Sequence, residues 1–419
     1  MKFLIGTTAY NDYWQNMALA LDEAGALGAY FTGFVDHYRT PAARRLRRYI
    51  ERWCPPLDRQ MRRRRIPLVH PNKVYLQPCW EVLRTLAARA RLNSRTVDQI
   101  FIRSEYGLDQ ACATALASPL ADAFLGLEHG SLAALESARR LGKRGVVVFA
   151  SPHHAYRRKW VDSEYERHPE WRDPDARRLL ALGLARDARR DREMAAADQI
   201  ITCSPLVSQT LVDAGVPEAK LTSVLLGAPD AIGDDELPAS LPQPFVVLYA
   251  GPVSVRKGAH YLLEAWKRVG ARSGGELHFY GAMLLPPAYA TDAGANVVFH
   301  GSTTREELFD AYRRAAVLVF PTLCDGFGAV VTEAMSRGLP VITTPNAGAS
   351  SFVQEGVNGF ITPPGDAAAL ARTIAWCLDH PRELAPMRRE ALRAARAWNW
   401  DRFRRTFREA VLSPRETTV

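Results

Sequence analysis

Residues 317–344, with the sequence VLVFPTLCDGFGAVVTEAMSRGLPVITT, decide the fold of this chain. An apolar strand leads into a tight turn, and the turn leads into a helix that carries Glu333. Gly326 and Gly328 let a ligand approach the backbone of the turn. The unpaired amides at the start of the helix can bind a diphosphate, and the carboxylates of Asp325 and Glu333 can bind hydroxyl groups. The stretch therefore predicts a site that holds a diphosphate beside a polyol.

The same stretch resembles the donor site of the retaining group 1 glycosyltransferases (family four), which have the GT-B fold. Their usual pattern is Glu, seven residues and Glu, with GFG after the first acid; here Asp325 stands for the first Glu and is one methylene shorter. The resemblance implies that Asp325 contacts the hydroxyls of the transferred sugar and Glu333 the ribose. A plain strand-to-helix connection in another α/β protein is the alternative. The matching residues are Gly326, Phe327, Gly328, Glu333, Ala334, Met335, Gly338, Pro340 and Val341, and Ala329 begins the helix that would face the donor.

Residues 249–258, YAGPVSVRKG, resemble the Gly-Arg…Lys-Gly segment of the same family. Gly251 and Lys257 match, whereas Pro252 occupies the usual Arg position. We expect Arg256 to supply the missing charge, so that two cations stabilise the departing diphosphate without a metal. A basic pair on the surface before a helix is the alternative.

The first half of the chain matches the family in patches. Residues 146–154, VVVFASPHH, end in a Ser-x-His pattern, which implies that His153 lies in the cleft near the transferred sugar. A lone histidine is more often structural than catalytic. The resemblance also implies that the backbone around Gly301 and Ser302 borders the nucleotide base. The turn after the first strand would touch the acceptor through Gly6, Tyr10 and Asn11.

Two series of alternating strands and helices predict two doubly wound, Rossmann-like α/β domains that face a cleft. Residues 1–230 with 398–419 would bind the acceptor, and residues 245–397 the donor, with a Pro-, Asp- and Gly-rich linker at 226–245. Strands are predicted at 2–6, 99–102, 124–127, 145–149, 199–202, 246–250, 276–280, 297–300, 317–320 and 341–343, and helices near 16–24, 80–91, 131–141, 175–196, 367–379 and 382–397. In the family resembled here, the terminal helix crosses back onto the first domain; Trp398, Trp400 and Phe403 suit such an anchor.

The net charge of +9 comes from one segment of the chain. Residues 39–65 hold eleven Arg and two acids, whereas the other 43 basic and 43 acidic residues balance. Within this segment Leu46, Tyr49, Ile50 and Trp53 recur at helical spacing among the arginines, so a helix there could lie on an anionic membrane or hold the phosphate of a lipid-linked acceptor. A solvated helix that packs on its own domain is the alternative. Nucleic acid is not expected, because no aromatic platform or reading motif accompanies the arginines of residues 44–65.

Composition narrows the class of protein further. The 419 residues suffice for two cores, and no run of eighteen apolar residues predicts a membrane-spanning helix. The opening MKFLIGTTAYND predicts a strand and a turn rather than a signal peptide. The six scattered cysteines predict reduced thiols and no metal site. We expect a cytoplasmic protein that can associate with the inner membrane face.

Taken with the resemblance, these features predict a retaining glycosyltransferase. It would move a sugar from a nucleotide-diphosphate-sugar to a glycan, lipid-linked or small-molecule acceptor, with no metal and no cofactor. The absence of GxGxxG, GxxxxGK[ST] and GxSxG patterns weakens dehydrogenase, NTPase and hydrolase alternatives. Two alternatives stay open: a non-catalytic GT-B module that binds a nucleotide-sugar or a partner, and a related GT-B enzyme such as an epimerase or a pyridoxal-dependent glycan phosphorylase.

Overall fold

Short apolar segments of this chain form strands that are buried on both faces, as parallel sheets require. The computed structural model describes residues 1–33, 35–36, 41–54, 61, 71–90, 92–171, 174–238, 240–269 and 274–413. These residues form two parallel sheets, one in each half of the chain, and helices flank both.

The first sheet has seven strands in the order β3-β2-β1-β4-β5-β6-β7. Its central strands are fully buried, and the order reverses direction between β1 and β4. The strands are β1 (Phe3–Thr7), β2 (Leu27–Thr32), β3 (Val74–Leu76), β4 (Ala123–Leu127), β5 (Arg144–Phe149), β6 (Gln199–Thr202) and β7 (Leu221–Ser223).

The second sheet has six strands in the order β10-β9-β8-β11-β12-β13, and its reversal falls between β8 and β11. The two sheets therefore have the same winding, and both predicted Rossmann-like halves are present. The strands are β8 (Val246–Ala250), β9 (Glu276–Tyr280), β10 (Val297–Gly301), β11 (Val317–Phe320), β12 (Val341–Thr343) and β13 (Gly359–Ile361).

Helices connect the strands. Those of the first half are Asp12–Glu23, Pro41–Trp53, Pro78–Arg89, Ser94–Ala115, Leu132–Arg140, His154–Arg157, Ser163–Arg167, Pro174–Ala196 and Pro205–Val212. Those of the second half are Ala259–Val269, Ala288–Thr291, Arg305–Arg314, Ala329–Met335, Ala367–Asp379, Pro381–Ala397 and Trp400–Leu412. Shorter 3₁₀ turns cover Pro71–Lys73, Pro169–Trp171, Glu218–Lys220 and Gly348–Phe352, and a π turn covers Arg158–Asp162.

The last helix, Trp400–Leu412, returns to the first half of the chain and packs against Asp12–Glu23. Phe403 is fully buried, and its ring meets that of Tyr13 edge to face at 5.6 Å. The indole nitrogen of Trp398 donates to the Leu225 carbonyl at 3.1 Å, where the linker leaves the first sheet. The predicted crossover of the terminal helix is thus confirmed.

The strand predicted at residues 99–102 is wrong, because these residues lie inside the helix Ser94–Ala115. Asn93 begins this helix with a side-chain cap, and its buried face recurs every four residues through Ile100, Leu108 and Cys112. A four-residue apolar run is ambiguous between a strand and one turn of a buried helix, and the longer helical period decides between them.

The predicted basic helix is present at Pro41–Trp53, whereas residues 39–40, 55–60 and 62–65 of the arginine-rich segment lie outside the described residues. Tyr49 and Trp53 are 61% and 62% exposed. Arg47 instead turns inward and pairs with Asp36 at 2.7 Å. Across the described residues, every helix is too short or too polar to cross a membrane.

Candidate active site

Four loops at the carboxyl ends of strands meet at one cleft, at or next to the points where the strand orders reverse. In doubly wound sheets, ligands bind outside the carboxyl ends of the strands where the strand order reverses. The loops after β4 and β5 approach this cleft from the first half of the chain, and those after β8 and β11 approach from the second half. Most of the residues that the sequence predicts for the donor lie on the latter two loops.

Lys257 and Asp325 form an ion pair at the centre of the cleft. Both side chains are largely buried, and the Lys257 ammonium also lies 5.0 Å from the centre of the Phe320 ring. Burial lowers the pKa of Lys257, and the Asp325 carboxylate opposes that shift. The pair therefore joins the two predicted donor loops through a charge-assisted contact.

Backbone hydrogen bonds fix the loop that carries Asp325. The Asp325 amide donates to the Asn346 carbonyl at 3.0 Å, and the Gly348 amide donates to the Asp325 carbonyl at 3.1 Å. The Arg256 guanidinium donates to the Cys324 carbonyl, also at 3.0 Å. Arg256 thereby lies beside the loop that carries the acid.

Two glycines are required by close approach within these loops. Gly258 has φ +68°, and a Cβ there would lie 1.9 Å from the Pro321 carbonyl oxygen. Gly328 has φ +84°, and a Cβ there would meet the Phe320 ring at 2.8 Å. Side chains at either position would push the two loops apart, which explains the Lys-Gly and GFG patterns.

Gly326 makes a close contact between the two halves of the chain at the cleft. A Cβ at this position would lie 1.8 Å from the Ala150 carbonyl oxygen. The Ser204 hydroxyl donates to the Gly326 carbonyl at 2.6 Å, and the Cys203 thiol lies 3.3 Å from the same oxygen. The loop after β11 is therefore seated on the loops after β5 and β6.

Glu333 lies on the opposite side of the same loop. Burial raises the pKa of its carboxyl group, and the charge of Arg305 partly offsets that effect. A second cavity of about 410 Å³ lies nearby, lined by Asp12, Arg305 and Arg337 among others. Arg305 pairs with Asp12 across the cleft at 2.7 Å. Glu333 is thus placed among charged groups at the border of the two halves.

The helix that follows Gly328 is short, covering the seven residues Ala329–Met335. A macrodipole needs several aligned turns, so this helix offers individual N–H groups rather than a strong field. Phosphate contacts here depend on the geometry of the loop.

His153 is buried at the start of the helix His154–Arg157 rather than exposed in the cleft. Its Nδ1 accepts from the Ala155 amide at 3.2 Å, and its Nε2 lies 3.6 Å from the Asp191 carboxylate. The neighbouring His154 donates from Nε2 to the same carboxylate at 2.9 Å, since Arg158 occupies its Nδ1.

Within the described part of the chain, these two histidines and Asp191 also have the spacing of a metal site, with ligand atoms within 4.8 Å of one another. Each Nδ1, however, faces an N–H donor, so each Nε2 carries the proton of the neutral ring. A metal would require both Nε2 atoms to be unprotonated. The hydrogen bonds thus fit a paired carboxylate rather than a ligand set.

The residues predicted to touch the acceptor serve the fold of the first domain. Gly6 lies inside β1, where a Cβ would meet the Cys112 sulfur at 2.6 Å. Asn11 caps the next helix by accepting from the Trp14 amide at 3.1 Å. Tyr10 packs, partly buried, against the first core.

The remaining predicted donor residues lie at the ends of strands in the second sheet. The Gly251 amide donates to the Tyr280 carbonyl at 2.9 Å just after β8, and Gly251 has φ +120°. Gly301 ends β10 with φ +70°, and its carbonyl accepts from the Gly281 amide at 2.8 Å. Ser302 is exposed beside it. Both segments lie at the ligand-binding edge of the sheet.

A set of basic residues in the first half was not predicted. They line a cavity of about 630 Å³, called the central cavity below, whose wall also includes Asp325 and Gly326. The titratable residues that line it are Asp98, His129, Arg157, Arg186, Asp187 and Arg190 of the first half and Arg256, Cys324 and Asp325 of the second. Arg186 and Arg190 are four residues apart and Glu193 follows three residues later, so they share one face of the helix, a signal that sequence analysis could have used.

His129 is held in a strained backbone conformation at the wall of this cavity, with φ +76°. Its amide donates to the buried Glu193 carboxylate at 2.6 Å, and its carbonyl accepts from Arg189 at 2.8 Å. Burial, together with the charges of three arginines, lowers the pKa of His129 to about 2. Strain fixed in this way is characteristic of functional sites.

Comparisons with known proteins agree with this geometry. Residues 244–380 match the family described as "Glycosyl transferases group 1". The chain is 30% identical over 187 residues to D-inositol 3-phosphate glycosyltransferase 1 of Catenulispora acidiphila, a match that covers 40% of this chain and 44% of the relative. It is 38% identical over 108 residues to D-inositol 3-phosphate glycosyltransferase of Streptomyces avermitilis, covering 26% and 23%. The chain thus spans less than half the length of these curated relatives.

Solved structures match nearly the whole chain. HepE of Anabaena, solved in complex with UDP and glucose, superposes with a TM-score of 0.60 at 16% identity and covers 99% of this chain and all of HepE. Sucrose-phosphate synthase of Thermosynechococcus elongatus superposes with a TM-score of 0.62 at 20% identity and covers 97% of each chain.

The two sheets, their cleft and these superpositions define a protein of the GT-B fold. Within that class, residues 244–380 match the group 1 glycosyltransferases, and the curated relatives that the chain matches in part are glycosyltransferases. The expected GT-B fold is confirmed, and the second domain has the sequence pattern of the expected family.

Proposed function

We propose that this protein transfers a sugar from a nucleotide-diphosphate-sugar to an acceptor, with retention of the anomeric configuration and without a metal. The observation that carries the proposal is the Lys257–Asp325 pair in the cleft, in a domain of group 1 glycosyltransferase sequence. One member of the pair is a cation suited to a departing diphosphate, and the other is an acceptor suited to sugar hydroxyls.

In the proposed reaction, the acceptor hydroxyl oxygen forms a bond to the anomeric carbon as the bond from that carbon to the β-phosphate oxygen breaks. The electron pair of the broken bond leaves with the nucleoside diphosphate. The hydroxyl proton passes to the departing phosphate oxygen, so no protein base is needed. Attack and departure on the same face of the sugar retain the configuration.

The cations of the site would act on the charge that develops in this step. Lys257 and Arg256 would stabilise the departing diphosphate, which replaces the role of a metal ion. Loop amides after Gly328 would bind its oxygens, and Glu333 would bind the ribose. Asp325 would hold the sugar hydroxyls once the donor separates it from Lys257. His153 would act near the transferred sugar from its buried position beside the cleft.

A thermal-shift screen with UDP, GDP, ADP and dTDP and their sugars tests the donor site, because a ligand that binds only the folded state raises the unfolding midpoint. UDP comes first, since HepE was solved with it. We expect one nucleotide to shift the midpoint of the wild type and of Glu409→Ala, an exposed control, but not of Glu333→Ala.

The screen also separates the alternatives. Binding of a nucleotide-sugar without transfer to any acceptor would favour a non-catalytic module. The differences from the family pattern at Asp325 and Pro252 support this alternative. Absence of a shift with every nucleotide would refute the donor site. An absorbance band of a lysine-bound pyridoxal would indicate a phosphorylase.

An anionic membrane surface is a proposed second partner. The helix Pro41–Trp53 exposes Tyr49 and Trp53, and the Arg52 guanidinium lies 5.3 Å from the centre of the Trp53 ring. Exposed aromatics among arginines suit the headgroup region of an anionic bilayer. Trp53→Ser combined with Arg52→Ser should reduce flotation with vesicles that contain anionic lipid. Equal flotation of the variant and the wild type would refute this partner.

A further inference from the structure

The central cavity adjoins the donor loops and is built mainly from the first half of the chain. Residues of the two donor loops line one end of it, namely Arg256, Cys324, Asp325 and Gly326, and residues from four segments of the first domain line the rest. Its volume of about 630 Å³ lies within the range of small-molecule sites. Under the proposed function, an acceptor placed here would present a hydroxyl to the sugar held by Asp325.

The arginines of this cavity are oriented by buried carboxylates behind them. Arg186 donates from a single nitrogen, Nη2, to both oxygens of Glu105, at 3.0 and 2.9 Å. Arg190 pairs with Glu128 at 2.7 Å, and both side chains are about 5% exposed or less. These pairs hold each guanidinium in place at the wall of the cavity.

The same pairs leave N–H groups unused. A guanidinium carries five N–H donors and no acceptor. Among the described residues, Nε of Arg190 has no hydrogen-bond partner, although Arg190 as a whole is only 4% exposed. Nδ1 of His129, on the same wall, is also without a partner. Arg157 makes only long contacts of 3.3 Å, to Asp162 and Asp187. A buried donor without a partner is costly, which points to a ligand that accepts hydrogen bonds here.

The cavity wall carries more guanidinium groups than carboxylates. Four arginines (Arg157, Arg186, Arg190 and Arg256) line it together with three acids (Asp98, Asp187 and Asp325). Asp187 is paired with Arg157, and Asp325 with Lys257. Burial, followed by the charges of Arg186, Arg190 and Arg189, lowers the pKa of His129 on the same wall.

We infer that the acceptor of this enzyme is a sugar or polyol that carries a phosphate or a carboxylate group. The anion contacts Arg186 and Arg190 in the central cavity, with Arg157 beside them, and a hydroxyl of the same molecule faces Asp325. This inference rests on the proposed function, because it names the second substrate of that reaction.

Calorimetric titration of the wild type saturated with UDP tests the inference, with glucose 6-phosphate, glucuronate, inorganic phosphate and glucose as probes. We expect at least one anionic sugar to bind ten or more times more tightly than glucose. Comparing the affinities of glucose 6-phosphate and glucuronate then shows whether the site prefers a phosphate or a carboxylate. Comparing glucose 6-phosphate with inorganic phosphate shows whether the sugar contributes to binding.

The double variant Glu105→Gln with Arg186→Gln removes the cation and its partner together, so no buried carboxylate is left unpaired. Its affinity for the anionic sugar should fall about 10- to 100-fold, whereas its affinity for UDP stays within twofold of the wild type. The matched control is the exposed pair of Glu136 and Arg192, changed in the same way, since Arg192 lies on the same helix as Arg186. Arg157→Gln, at a less buried pair, serves if the double variant does not fold.

Equal binding of glucose and the anionic sugars, no binding of any anionic sugar, or an unchanged affinity in both Arg186 and Arg157 variants would overturn the inference. If the wild type does not bind UDP, the proposed donor site would be refuted instead. The same titrations, repeated without UDP, measure binding in the central cavity independently of the donor site. A failure of the inference can therefore be distinguished from a failure of the proposed donor site.

Discussion

Replacing Gly326 with alanine should hold the two domains apart at the cleft. The new Cβ would lie 1.8 Å from the Ala150 carbonyl oxygen, whereas ordinary contact begins at 3.4 Å. The gap must therefore open by 1.6 Å, the difference between these two distances. Gly326 is not among the residues with positive φ, so alanine adds no backbone strain of its own.

An opening of this size separates the groups that would act on the two substrates. The hydrogen bond from the Ser204 hydroxyl to the Gly326 carbonyl, now 2.6 Å long, would be lost, at a cost of about 1 kcal/mol. A misplacement of about 1 Å in an active site can lower turnover about 100-fold. We therefore expect turnover of the donor to fall about 100-fold, equivalent to ~2.7 kcal/mol in the activation barrier.

The matched control is Gly130→Ala, because a Cβ there would meet its nearest neighbour at 3.7 Å, an ordinary contact. Release of nucleoside diphosphate measures turnover. Hydrogen exchange of residues 203–207 and 325–330 measures the contact itself, and residues 317–320 report on the adjacent core. Faster exchange should be confined to the first two segments of Gly326→Ala. Wild-type turnover in this variant, or unchanged exchange, would refute the interpretation of the contact.

Three further outcomes are expected. Lys257→Met should lower turnover at saturating donor about 100- to 1,000-fold with an unchanged circular dichroism spectrum, as loss of a preorganised charge does. Phe403→Ala should destabilise the first domain in urea by about 3–5 kcal/mol, whereas the exposed Arg405→Ala should not. His129 has a pKa of about 2 when folded and about 6.5 when unfolded, so the unfolded chain takes up the proton and stability falls with pH below 6.5. Between pH 7 and pH 5, the free energy of unfolding measured in urea should therefore fall by about 1–2 kcal/mol less in His129→Asn than in the wild type.

The second domain could be predicted from the sequence almost to the residue. Its strands at 246–250, 317–320 and 341–343 have the bounds expected, because buried parallel strands are continuous apolar runs. The strand at 276–280, which is only partly buried, also has the predicted bounds. The GFG turn and the Lys-Gly pair also predicted the position of the candidate site. They are visible in the sequence because close backbone contacts require glycine at fixed positions.

The first domain was harder because its signals are short. Val74–Leu76 is a three-residue edge strand, and the prediction at 99–102 mistook one turn of a helix for a strand. Long-range pairs leave even less trace. Lys257 and Asp325 are 68 residues apart, and Arg186 meets Glu105 across 81 residues, so only the topology brings them together.

The segment after His153 connects the two proposed substrate sites. It belongs to the first half of the chain, yet Trp171 is buried in the core of the second domain, and Glu164 accepts from His260 at 3.2 Å and from Tyr261 at 3.0 Å. Tyr156 donates to Asn346, whose carbonyl in turn accepts from the Asp325 amide.

Arg157, on the wall of the central cavity, follows Tyr156 directly in the sequence. A cation of the acceptor side is thereby fixed to the loop that holds the donor acid. Since proximity of the two reactants depends on such fixed distances, the segment sets how far the acceptor hydroxyl lies from the transferred sugar. Changes at Glu164 should therefore alter transfer to the acceptor more than binding of the nucleotide, because the donor residues themselves keep their contacts within the second domain.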